Sequence, residues 1–154
     1  MQYFTEERND IEGYGKSLLK LEKRLDSETF DFIREHSFHD SVINKIILKN
    51  DQDEKQRAEQ GKSIVSVSMQ LTYWDDALYE LRWENVTIYS LDFDIRRNKV
   101  AESHQILFER GLDQWSHDEL SLVDNGRLKH EIYLFSHTTI LIECEKFSIH
   151  PVSH

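Results

Sequence analysis

Cysteine is almost absent from this chain. Among 154 residues only Cys144 carries a thiol, so neither an intramolecular disulfide nor a multi-cysteine zinc site can form. Proline is as scarce, with Pro151 alone, and the 5 glycines compose neither a G-x-G-x-x-G fingerprint nor a Walker loop. Nucleotide binding through those phosphate cradles is excluded. No apolar run approaches the ~20 residues that span a bilayer. The opening Met1-Gln2-Tyr3-Phe4-Thr5-Glu6-Glu7 lacks the basic and apolar regions of a secretory signal. Together with the single thiol, these absences predict a cytoplasmic protein. Positive charge is in deficit as well: 19 Lys and Arg stand against 29 Asp and Glu, a net charge of −10. Nucleic acid and anionic membranes, which attract clustered Lys and Arg, are therefore not expected partners.

What remains is enough for one domain. A chain of this length buries roughly 70% of its unfolded area, and 8 Phe, 6 Tyr and 3 Trp supply large apolar units without any low-complexity tract. We read residues 1–154 as a single α+β domain, with a helical cap at 1–39 and an antiparallel sheet at 40–150. In the cap, Tyr14, Leu18, Leu21 and Leu25 recur at helical spacing and predict a helix over 8–25, weakened early by Gly13 and Gly15. Asp26 or Ser27 then caps a second helix running to about His36, with Phe30 and Ile33 on one face.

From Asp40 the period changes. The run Val42, Ile43, Ile46, Ile47, Leu48 predicts a first strand. Val65, Val67, Met69, Leu71 and Tyr73 alternate strictly with polar residues, which requires a strand with one covered face. Tyr79, Leu81 and Trp83 hold odd positions, whereas Val86 and Ile88 hold even ones, so a bulge or break is expected near Glu84-Asn85. Residues 91–116 show no sustained period and are read as irregular, with a short helix near 99–109. Leu120 and Leu122 lead into Asp124-Asn125-Gly126, an Asn-Gly hairpin signal with positive φ values, and strands at 128–135 and 139–145 follow. Phe147 and Ile149 extend the last of them. Short links favour nearest-neighbour pairing, so we expect N-terminal helices packed on a curled antiparallel β-meander of five to seven strands.

Three constellations could carry chemistry. His36, His39 and the adjacent Asp40 have the composition of a metal site that activates water for phosphoester hydrolysis. The superfamily with that signature is all-helical, whereas here His-Asp leads straight into a β-branched run, where Asp binds backbone amides and His fills a corner. His117-Asp118-Glu119 form a second cluster, but consecutive residues of a strand point to opposite faces. Cys144 lies between Glu143 and Glu145, which raise rather than lower a thiol pKa, and no G-x-S-x-G elbow is present.

The third is a charge distribution. Residues 75–124 hold 12 Asp or Glu against 5 Lys or Arg, while 125–154 balance at 3 against 3. Asp75, Asp76, Asp92, Asp94, Asp113, Asp118 and Glu119, with Trp83 and Trp115, are read as an acidic surface with aromatic anchors, suited to a basic protein partner. Tyr73, Tyr79 and Trp83 would instead line a small-ligand concavity in a curled sheet.

The opening Met1-Gln2-Tyr3-Phe4-Thr5 resembles that of a family of bacterial domains beginning Met-Lys-Tyr-Phe-Thr. Phe38-His39-Asp40-Ser41 looks like the Phe-His-Asp element of that family and of several small immunity proteins of bacterial toxin systems. The stretch from Asp124 through Glu143 is similar to their final hairpin. The resemblance implies a helix-plus-meander fold without catalytic residues and, in the immunity branch, a protein that neutralises a toxin by binding it. The function expected is thus a non-enzymatic protein-binding domain, an antitoxin-like inhibitor of a basic partner, without cofactor. The alternative is a metal-dependent phosphohydrolase using His36, His39 and Asp40.

Overall fold

The computed structural model describes residues 1–5, 7–51, 60–98 and 111–153. Its elements are α1 (Ile11–Leu18), α2 (Ser27–Glu35), β1 (Val42–Asn50), β2 (Val65–Thr72), β3 (Leu78–Glu84), β4 (Ile88–Asp92), β5 (Trp115–Leu122), β6 (Leu128–Leu134), β7 (Thr139–Cys144) and β8 (Lys146–Val152). The chain is α+β, as read from the sequence. None of the described helices is long and apolar enough to cross a membrane.

The first helix is shorter than its apolar stripe. Residues 3–5 and 7–10 form a small hairpin closed by a Phe4–Asn9 bridge, so α1 starts only at Ile11, where the Asp10 side chain accepts the Gly13 N–H. It tightens into a 3-10 turn at Leu19–Leu21, yet Leu18, Leu21 and Leu25 are buried, as the spacing requires. Asp26 caps α2 by accepting the Thr29 N–H, and Phe30 is buried beneath.

Among the described residues eight strands form two antiparallel four-stranded sheets, ordered β1-β2-β3-β8 and β4-β7-β6-β5. The expected count of five to seven is exceeded because two long strands are each divided at a corner. The first break is the anticipated one, at Asn85, whose φ is 53°. The second lies at Glu145, between β7 and β8. There the chain passes from one sheet to the other, and the Glu145 N–H donates to the Glu84 carbonyl, so both corners sit side by side. At another junction the sheets meet again: the Asp40 N–H donates to Trp115 O, the Trp115 N–H to Ser41 O, and Val42 bridges Gln114.

Between the sheets lie Met69, Leu71, Leu81, Trp83, Ile132, Ile140, Ile142 and Phe147, each at most 1% exposed. Burying side chains of this size stabilises by about 1.5–3 kcal/mol apiece. Within 91–116, the described part holds a 3-10 turn at Ile95–Arg97. Ile106, Leu107, Phe108 and the helix expected near 99–109 lie outside the described residues. Trp115, expected within the irregular stretch 91–116, opens β5 instead.

Candidate functional site

Three tight turns have the same backbone. Between β2 and β3 the Tyr73 N–H donates to Ala77 O and the Asp76 N–H to Tyr73 O; between β5 and β6, Val123, Arg127 and Gly126 repeat both bonds. In the one between β6 and β7 the Leu134 N–H donates to Thr138 O and the His137 N–H to Leu134 O, with His137 at a φ of 65°. Each loop has three residues, with the third at positive φ: Asp76 at 69° and Gly126 at 78°. The Asn-Gly pair therefore does not form a two-residue turn, and Asn125 instead accepts the Arg127 N–H with its side chain, as Asp75 does for Ala77. This geometry lifts Trp74 out of the first turn. It is 70% exposed, although Tyr73 beside it packs on Phe32 and Phe38.

The neighbourhood of that tip follows from the pairing. Thr72 lies opposite Val42, Val42 bridges Gln114, and the Phe135 N–H donates to the Gln114 carbonyl. Val42 and Phe135 are exposed there, and the His39 ring meets Phe135 edge-on at 5.5 Å. Beyond the 135–138 turn, Thr139 pairs with Asp92. One junction of the two sheets thus carries Trp74, Asp75, Asp76, His39, Asp40, Val42 and Phe135, with Asp92 at its far side.

The seven acidic-surface residues are not brought together as read. Asp75 and Asp76 stand exposed on the tip, and among the described residues neither forms an ion pair. Asp92 is held by Arg97 at 3.1 Å. Asp94 caps the 3-10 turn and binds Arg96 at 2.7 Å; the side-chain bond from Arg96, then its backbone N–H, hold the carboxyl down to about 2.

Trp115, Asp118 and Glu119 correct the reading. Trp115 is wholly buried and, like Trp83, belongs to the core. Glu119 is buried too, since its carboxylate accepts the backbone N–H groups of Gln2, Tyr3 and Phe4 at 2.7, 2.5 and 2.7 Å. Asp118 points between the sheets, where Trp115 Nε1 donates to Oδ1 at 3.3 Å and His130 Nε2 to Oδ2 at 2.7 Å. Trp83 Nε1 donates to His130 Nδ1 at 3.1 Å; an indole N–H can only donate, so His130 is the Nε2–H tautomer. The exposed tryptophan is Trp74, and its signal was a tryptophan next to Asp-Asp between two alternating runs.

His36, His39 and His117 contact rings and backbone. His39 Nδ1 lies 2.6 Å from the Ser116 carbonyl and its Nε2 3.5 Å from Asp40, while His36 packs against Phe32. His117 stacks on Tyr133 at 5.2 Å, and burial lowers its pKa. Among the described residues no three His, Cys, Asp or Glu side chains are grouped to hold a metal ion. Tyr73 and Tyr79 pack with Phe32 and Phe38, and Trp83 lies in the core.

A second feature has no counterpart in the sequence reading. A groove of about 640 Å³ opens between the N-terminal hairpin, α1, the end of α2 and β5, and reaches inward to Asp118, His130 and Phe147.

No family model matches this chain, and no curated protein matches it. The crystal structure of an uncharacterized protein from Neisseria gonorrhoeae is similar over 75% of this chain and 94% of that one, with 16% sequence identity and a TM-score of 0.44.

Proposed function

We propose that this chain is a non-enzymatic protein-binding domain that docks a basic partner at the sheet junction carrying Trp74, Asp75 and Asp76, in the manner of an antitoxin-like inhibitor. The observation that carries the reading is the exposure of Trp74. A tryptophan 70% open to solvent on a hairpin tip, beside two carboxylates that form no ion pair among the described residues, combines an anchor with a local negative field. Phe135 and Val42 extend the apolar area, and Asp40 lies beside them, while Asp92 and Asp94 are each bound to an arginine. The net charge of −10 adds long-range attraction for a cationic partner.

The test starts from the complex recovered when the tagged chain is purified from its native lysate, and reads affinity by calorimetry at low and high salt. Trp74→Ala and the pair Asp75→Lys/Asp76→Lys should each weaken binding by about 30-fold or more, with the melting temperature unchanged, because hot-spot truncation costs ~2 kcal/mol or more. A complex indifferent to salt and to both variants would rule the reading out. The surface itself can be checked without a partner. Trp83 and Trp115 are buried, so collisional quenching reports on Trp74, and caesium should quench its fluorescence more than iodide.

A further inference from the structure

We infer that the groove beneath the N-terminal hairpin is a binding site for an alkylguanidinium, the head group of an arginine side chain. Its walls are rings and its base is a carboxylate. Phe4, Tyr14, Phe32, Phe38 and Phe147 line it, and Asp118 lies at its inner end. The Asp118 side chain remains 22% exposed. Each of its oxygens already takes one N–H, from Trp115 or His130, which fixes its position and leaves lone pairs for an incoming donor.

The backbone adds acceptors. In the β5–β6 ladder the hairpin closes at Val123–Arg127, so Ser121, Glu119 and His117 carry the hydrogen-bonded pairs, and Asp118 and Leu120 direct their carbonyls away from β6. The Leu120 N–H on that outer edge is taken by the Tyr14 hydroxyl at 2.8 Å, and His39 Nδ1 meets the Ser116 carbonyl. Asp118 falls in the gap between these two covers. Its carboxylate and the edge carbonyls suit a group that has only N–H donors.

The cations at the rim do not reverse this sign. Arg8 is bound to Asp10 at 2.6 Å and Arg34 to Glu35 at 3.6 Å. A guanidinium fits better than an ammonium, because it is planar, more weakly hydrated, and stacks on aromatic faces while offering two donors to one carboxylate. The volume of about 640 Å³ lies within the usual range for a ligand site and leaves room for the apolar stem.

The test uses the full chain and N-acetyl-arginine amide, followed by NMR of the three indole N–H resonances. The arginine analogue should shift Trp115 saturably and leave Trp74 in place, whereas N-acetyl-norleucine amide and caprylate should do neither. Asp118→Asn, which keeps an acceptor for His130, should weaken binding about tenfold or more, the loss of a charge-assisted bond. Gly15→Leu is a second variant that does not disturb the network. Gly15 lines the groove within α1, and a Cβ there meets nothing within 4 Å, so leucine obstructs the site and favours the helix. It should abolish the shift with the melting temperature unchanged or raised. An equal response to the neutral analogue, a response to caprylate, no response to arginine, or binding that survives both variants would overturn the inference. A shift at Trp74 alone would also overturn it, while leaving the proposed docking tip standing.

Discussion

Glu119 shows how a charged residue becomes part of the core. On β5 it stands directly opposite Glu131 of β6, and like charges in that register repel. Both are answered by the first residues of the chain: three backbone N–H groups on Glu119, and the Met1 amino nitrogen at 3.0 Å from Glu131. Burial works against ionisation of Glu131, but the Met1 and Lys129 contacts outweigh it and hold the pKa below the usual range. Removing the Glu119 carboxylate strands three amides at once. Glu119→Ala should therefore cost about 2–4 kcal/mol. Glu119→Gln should cost less, since one oxygen accepts from both Tyr3 and Phe4 and an amide oxygen can replace it. Urea unfolding gives the magnitudes, and amide exchange at residues 2–4 should quicken well before that of β5. Equal stability of Glu119→Ala and the unaltered protein would show that the clamp contributes nothing.

At the scale of elements, the turns ending in Asp76 and Gly126 make a controlled comparison. Both put their third residue in the left-handed region, one with glycine and one with aspartate. Glycine enters that region freely, and other residues are strained by roughly 1–2 kcal/mol, Asp less than most. Gly126→Ala should thus destabilise by about 1 kcal/mol, and Asp76→Gly should gain up to about 1 kcal/mol, both read from chemical denaturation. The hairpins themselves were legible because alternation is a local property of a strand: Met69 and Leu71 sit where their period placed them. The break at Asn85 was equally plain, since a one-residue change of phase must move the backbone. The same change occurs from Ile140, Ile142 and Cys144 to Phe147 and Ile149, and it marks the second corner, at Glu145. Reading 147–149 as an extension of one strand is what hid the division into two sheets. The start of β5 was not legible, because Asp118 and Glu119 look like solvent residues locally. Apart from the Trp115 indole, their donors lie 12 residues away at His130 and more than 100 away at Gln2, Tyr3 and Phe4.

For the whole molecule, what matters is whether the two sheets share their stability. The Trp83–His130 bond joins β3 of one sheet to β6 of the other, and Phe147 packs on both rings at 5.3 and 5.0 Å. The strands divided at the corners belong to both sheets, so neither can unfold without exposing the core of its neighbour. A core held in common predicts one cooperative transition. Cys144 is placed to test it. The residue is buried at the last position of β7, next to the corner, and burial pushes its thiol up to about 12. Thiolate is the reactive form, so native protein at neutral pH should resist a disulfide reagent, and labelling should proceed only through opened molecules. The urea midpoint for labelling should then coincide with the midpoint for loss of sheet signal in circular dichroism. Labelling complete at lower urea, with the circular dichroism still native, would mean that β7 and β8 part from the rest. In that case the corner would behave as a hinge between two units.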